Sequence, residues 1–162
     1  MVRKKFWIAS AFAGLLPSVV LIAFPPVVRT PEPFREEMAA KAAIKAVQSA
    51  ETLYYSQYGV YAISIQQLGP PASGSPKPNG ADLIDRDLTS GERRGFKFVL
   101  QQTQTGFSLN VNPVAFGTSG THTYYSDQSM AIHEHHGPEP ATASDPLLGE
   151  TQLAKSSRIC RV

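Results

Sequence analysis

Between Gly95 and His135 the apolar residues recur at every second position in short runs, and this alternation limits the chain to an antiparallel sheet with one apolar face. Phe96, Phe98 and Leu100 alternate in one run, and Phe107, Leu109 and Val111 alternate in the next. Turn formers at Thr103–Gly106 separate the two, which reads as a hairpin of strands over Gly95–Gln102 and Gly106–Val114. Asn112-Pro113 either ends the second strand or marks an edge position, because proline cannot donate to a ladder. A glycine-flanked loop, Ala115–Gly120, leads to Thr121–Ser126, with the β-branched and aromatic make-up of a strand. Asp127-Gln128-Ser129 offers a turn, and Met130–His135 alternates again as a fourth strand.

A sheet with one apolar face needs a cover, and the chain supplies one upstream. From about Pro33-Phe34 the sequence is rich in Ala, with Lys41 and Lys45 interspersed and Glu36 and Glu37 placed in the first turn. Ala43, Val47, Ala50, Tyr54 and Tyr58 recur at three- and four-residue steps, with Ile44 and Leu53 at the margins of the stripe. Gly59 suits the position just past the helix end. The stripe either packs on the sheet or is reserved for a partner helix; its small residues permit close approach in both cases. Ser64 is placed to cap a single turn at Ile65–Leu68, residues 69–80 are too rich in Pro and Gly for a regular element, and residues 82–91 read as irregular or a brief helical turn.

The front of the chain has a different character. Arg3-Lys4-Lys5 precedes Phe6–Phe24, a run without any charged residue. As a helix it would span roughly 28 Å, close to a bilayer core of about 30 Å. An uncleaved signal anchor is the preferred reading and a cleaved signal peptide the other, since the run exceeds the usual h-region of roughly 7–15 residues and Ala23-Phe24-Pro25 is a poor cleavage site. The basic residues 3–5 keep the N-terminus cytoplasmic. The expected layout is a basic end at 1–5, a transmembrane anchor at 6–24, a Pro-rich linker at 25–33, one α+β domain at 34–149 and a disordered tail at 150–162.

The order of several short pieces resembles a known family. Ser49-Ala50-Glu51, Tyr54 or Tyr55, and Tyr58-Gly59-Val60-Tyr61 are followed by Leu68-Gly69, Leu83-Ile84-Asp85 and Gly95-Phe96-Lys97-Phe98. Tyr125-Ser126-Asp127-Gln128-Ser129 and then Ala141-Thr142 with Asp145-Pro146-Leu147 complete the series. Together, over about residues 44–148, they resemble the bacterial type IV pilin-like and type II secretion pseudopilin-like proteins. The resemblance implies one long helix packed on a four-stranded antiparallel sheet, behind an N-terminal transmembrane helix. It implies a structural or assembly role in a type IV pilus or type II secretion system, not catalysis. The implied partners are inner-membrane lipid and pilin-like or secretion-system proteins. The implied location is the bacterial inner membrane, single-pass, with the domain periplasmic. Three features depart from the family: no glycine–aromatic cleavage site with a following acidic residue lies in the apolar run, Pro25-Pro26 breaks a continuous helix, and Met130 stands where the family usually has Gly. Met does not readily accept positive φ, so the turn before the last strand is expected to take another form.

Chemistry-bearing patterns are sparse. The chain shows no nucleophile elbow, P-loop, dinucleotide fingerprint or zinc-protease helix, so an enzyme is not expected and no small-molecule substrate is indicated. From Arg29 to Glu150 there are nine basic and thirteen acidic residues, which argues against a nucleic-acid surface. Cys160 is the only cysteine, which rules out an intrachain disulfide and reads as a bystander in a polar tail. Gly117-Thr118-Ser119-Gly120 could cradle an anion but reads first as a connecting loop. Asp82, Asp85 and Asp87 share a loop without an EF-hand pattern, and calcium enters only because some secretion pseudopilins carry it near the sheet. In His133-Glu134-His135-His136, His133 and His135 share a strand face about 7 Å apart, as two imidazole ligands of a transition metal would. The competing account is a polar strand end that keeps an exposed edge soluble. The second functional class is therefore a periplasmic ligand- or metal-binding module on the same fold.

Overall fold

The computed structural model describes residues 32–150. Helix α1 runs from Glu32 to Tyr58, with Pro33 in its first turn, where its missing N–H costs no hydrogen bond. It ends at Gly59, whose N–H still donates to Tyr55 O at 2.8 Å and whose φ of 73° then turns the chain out of the helix. Two single-turn helices follow, α2 (Ile65–Leu68) and α3 (Arg86–Thr89). Five strands then form one antiparallel meander in sequence order: β1 (Glu92–Arg93), β2 (Phe96–Gln102), β3 (Phe107–Pro113), β4 (Thr123–Asp127) and β5 (Ile132–His135).

The expectation of four strands is therefore corrected to five. The additional strand, β1, has two residues and turns back into β2 through Arg94 and Gly95, both at positive φ (48° and 73°). This is the backbone pattern of a tight hairpin turn. Its first central residue is Arg, not the Asn, Asp or Gly that marks such turns in sequence, so Gly95 reads as a strand start. The transmembrane helix expected over residues 6–24 lies outside the described residues, as do the residues of the 25–33 linker up to Pro31 and the tail from Thr151. Among the described residues no helix is long and apolar enough to cross a membrane.

Helix α1 lies on the apolar face of the sheet. Ala40, Ala43, Ile44, Val47, Ala50 and Tyr54 are all buried, facing Phe96, Phe98, Leu100, Phe107, Leu109, Val111 and Tyr124. The stripe thus packs on the sheet and is not free for a partner helix. It is also rotated from the sequence reading: Ile44, placed at the margin, is fully buried, whereas Leu53, at the other margin, is half exposed. Leu68, Ala81, Ile84 and Leu88 close one end of the core. Pro113 ends β3, opposite Phe96, so the Asn112-Pro113 alternative resolves to a strand end.

Three polar residues lie buried on this same face of α1, and each bonds to a different part of the fold. Glu37 Oε1 accepts from the Thr121 N–H (2.7 Å), the Thr121 hydroxyl (3.0 Å) and His122 Nδ1 (3.1 Å). Gln48 Nε2 donates to Ser126 Oγ (2.7 Å) and Met130 O (3.0 Å). Glu51 Oε2 accepts the Ala62 N–H at 3.0 Å. A helix sliding by one turn would orphan all three, each at about 1–3 kcal/mol, so these bonds fix the register of helix on sheet.

Candidate functional site

Three of the four histidines, His122, His135 and His136, lie where β4 begins and β5 ends, and His133 lies further along β5, opposite Tyr125 in the middle of β4. On β5, Ile132 points into the core and Glu134 reaches Lys41 of α1 at 3.9 Å, so His133 and His135 occupy the face away from the helix. Residues 145–148 then return beside β5. The Glu134 N–H donates to Pro146 O (2.9 Å) and the Leu148 N–H to Ile132 O (2.7 Å), extending the ladder by one short pairing. The edge of β5 is thus paired by the chain's own C-terminal segment, so the account of His133–His136 as guardians of a bare edge does not hold.

Asp145 organises the two sequence-predicted ligands. Its carbonyl lies 2.6 Å from His133 Nδ1, and its carboxylate lies 3.0 Å from His135 Nδ1. A carbonyl oxygen only accepts, so His133 carries a proton on Nδ1 in this contact. The Asp145 carboxylate is held below the usual range by the Thr142 backbone N–H, the Thr142 hydroxyl and then His135. Anchoring one ring nitrogen on a carbonyl or carboxylate is how metal-ligating histidines are oriented. A third ligand is what the arrangement lacks. Glu139 Oε2 approaches His135 Nε2 only to 3.7 Å, and among the described residues no group of three or more His, Cys, Asp or Glu could hold a metal ion.

His122 and His136 meet edge to face, with centroids 4.9 Å apart, and with Glu134, His135 and Pro146 they line a cavity of about 230 Å³. Burial pushes the Glu37 carboxyl up, but the Thr121 backbone bond, His122 and the Thr121 hydroxyl together bring it below the usual carboxylate range. His122 uses the same Nδ1 toward Glu37 and toward the Thr121 hydroxyl, 3.1 Å away. Glu37 thus orients the ring through Nδ1, but among the described residues no hydroxyl or thiol is bonded to His122 Nε2, so a nucleophile–base pair is not assembled here. The buried Thr123 hydroxyl donates to Glu139 O (2.7 Å) and points to no histidine nitrogen.

The other candidates are used up locally. In the loop before β4, the Gly117 N–H donates to Gly120 O, and Thr118 and Ser119 both donate to Ala115 O, which leaves no nest for an anion. Asp85 lies 3.7 Å from Arg93, and Asp82, Asp85 and Asp87 form no metal group. Met130, expected to force another turn form, instead takes the glycine-like φ of 63°. Its N–H donates to Asp127 O (3.0 Å), and the Ser129 N–H to Asp127 Oδ1 (2.9 Å), so the turn closes despite the side chain.

The polar residues of α1 were missed by sequence reasoning, which treated its buried stripe as apolar. Glu37, Gln48 and Glu51 do sit at helical spacing with Ile44 and Tyr54, and that coincidence was the available signal. No protein-family model, curated protein or solved structure matches this chain.

Proposed function

We propose that this chain is a pilin-like or pseudopilin-like structural subunit that acts in the assembly of a type IV pilus or type II secretion system, at the bacterial inner membrane. The reading places residues 1–5 in the cytoplasm and the described domain in the periplasm, with attachment through the uncharged segment 6–24. Its partners are membrane lipid and pilin-like or secretion-system proteins, and its role is assembly rather than catalysis. One observation supports it above the others. The pieces that carry the family resemblance fall, in order, on the end of α1, the loops after it, β2, the β4–β5 turn and the closing segment of a single helix-on-sheet unit.

Association through the Ala43, Val47 and Ala50 face is ruled out, since all three are buried against the sheet. The outer face of α1 is the available surface, where Phe34 and Met38 are each more than half exposed. Chemical crosslinking in the native host, followed by identification of the captured proteins, tests the proposal. Pilus or type II secretion components should be recovered with the wild type. Their absence from every crosslinked species, with the protein present in the membrane fraction, would remove the assembly role.

A further inference from the structure

The end of the sheet opposite the histidines carries a second cleft. There the β2–β3 turn lies beside the far end of β4, since Ser108 pairs with Asp127, whereas His135 pairs with Thr123 at the other end. The cleft has a volume of about 290 Å³ and lies between the C-terminal end of α1 and the tip of the β2–β3 hairpin.

One wall is aromatic. The reversal at Gly59 brings Tyr61 back against Tyr55, and their rings stack with centroids 4.7 Å apart and planes 30° from parallel. Tyr61 rests in turn on the buried Phe107, 5.5 Å away, so the pair is fixed to the core. Tyr55 and Val60 nevertheless remain about half exposed. The other wall is made of amides and hydroxyls: Gln102, Thr103, Gln104 and Thr105, held by a turn in which the Thr103 N–H donates to Gly106 O at 2.8 Å. All four are exposed, and none of their side chains bonds to another described residue. No residue lining the cleft carries a charge.

We infer that this cleft is a binding site for a neutral saccharide. A pyranose ring has one face of C–H bonds, which packs on an aromatic ring, and an edge of hydroxyls that both donate and accept. The amides of Gln102 and Gln104 and the hydroxyls of Thr103 and Thr105 also donate and accept, so they match a diol edge without a charge to be neutralised. An anionic ligand would find no cation here, and a metal ion no carboxylate or imidazole. The volume, just under the roughly 300–1,000 Å³ of typical small-molecule sites, suits one or two sugar rings. The rigid tyrosines lose little conformational freedom on contact, as in other recognition surfaces built on Tyr.

The test is a titration of the ¹⁵N-labelled full-length chain with maltotriose, cellotriose and chitotriose, followed by amide chemical shifts. At least one of the three should shift the amides of Val60, Tyr61 and Thr103–Thr105 saturably, with Kd on the order of 1 mM. Tyr55→Phe, which keeps the ring, should leave that Kd within about twofold, and Tyr55→Ala should weaken it about tenfold. Gln104→Ala, on an exposed loop where folding is not at stake, should weaken it severalfold. Absence of saturable shifts with all three sugars, or a Kd unchanged by both Tyr55→Ala and Gln104→Ala, would overturn the inference.

Discussion

Glu51 is fully buried on the core side of α1, with one oxygen on the Ala62 N–H and the other without a partner. Burial pushes its pKa up to about 7, only partly offset by the Ala62 bond. In the unfolded chain the carboxyl titrates near its ordinary value, so between about pH 4.5 and 7 the folded state holds a proton that the unfolded state has released. Stability from this group is therefore complete at low pH and is lost as pH rises through 7, by at most roughly 3 kcal/mol. Glu51→Gln keeps an acceptor for Ala62 and removes the titration. The variant should gain stability relative to wild type as pH is raised from 5 to 8, measured by urea denaturation. A difference between the two that stays flat across that range would show that burial does not raise the Glu51 pKa in the folded state. Met130 offers a second test at this scale. A non-glycine residue in the left-handed region costs about 1–2 kcal/mol, and the Met130 side chain is partly exposed. Met130→Gly regains part of that cost against the entropy of a freer unfolded chain, so a rise of about 0.5–1 kcal/mol is expected. A loss of stability would mean that the side chain contributes contacts outweighing the strain.

Among the elements, α1 decides the architecture because its inner face carries both the apolar stripe and the three polar contacts that set its register. Ala43→Glu places an unpaired carboxylate against the sheet and should unfold the domain or cost more than about 3 kcal/mol. Phe34→Glu, on the exposed side, should change stability by less than about 0.5 kcal/mol. Equal losses from the two would mean that the faces of α1 are assigned the wrong way round. How much of this was legible follows from the chemistry of each element. The helix, its glycine stop and the inward faces of β2 and β3 were readable, because period and burial agree there. β1 was not, since two residues carry no period and its turn lacks the usual Asn-Gly. The pairing of residues 146–148 with β5 was hidden by Pro146, which supplies a carbonyl but no N–H. The metal reading of His133 and His135 had the right strand face, but a third ligand depends on loop geometry that spacing does not encode. The Tyr55–Tyr61 cleft escaped notice because its two walls are about 45 residues apart in sequence.

For the whole molecule, the sheet is open at β1, which pairs with only two residues of β2, and is flanked at β5 by the segment around Leu147. With the inner face of α1 committed to the core, any assembly contact made by this helix must use the outer side, where Phe34 and Met38 lie near its N-terminal end. A photo-crosslinking residue placed singly at Met38 or at Lys97 in the native host tests this assignment of the assembly face. Lys97 is exposed on β2, on the side of the sheet opposite the buried Phe96 and Phe98. Adducts with pilus or secretion components are expected from position 38 and none from position 97. Adducts from position 97 alone, or from neither position, would contradict that assignment.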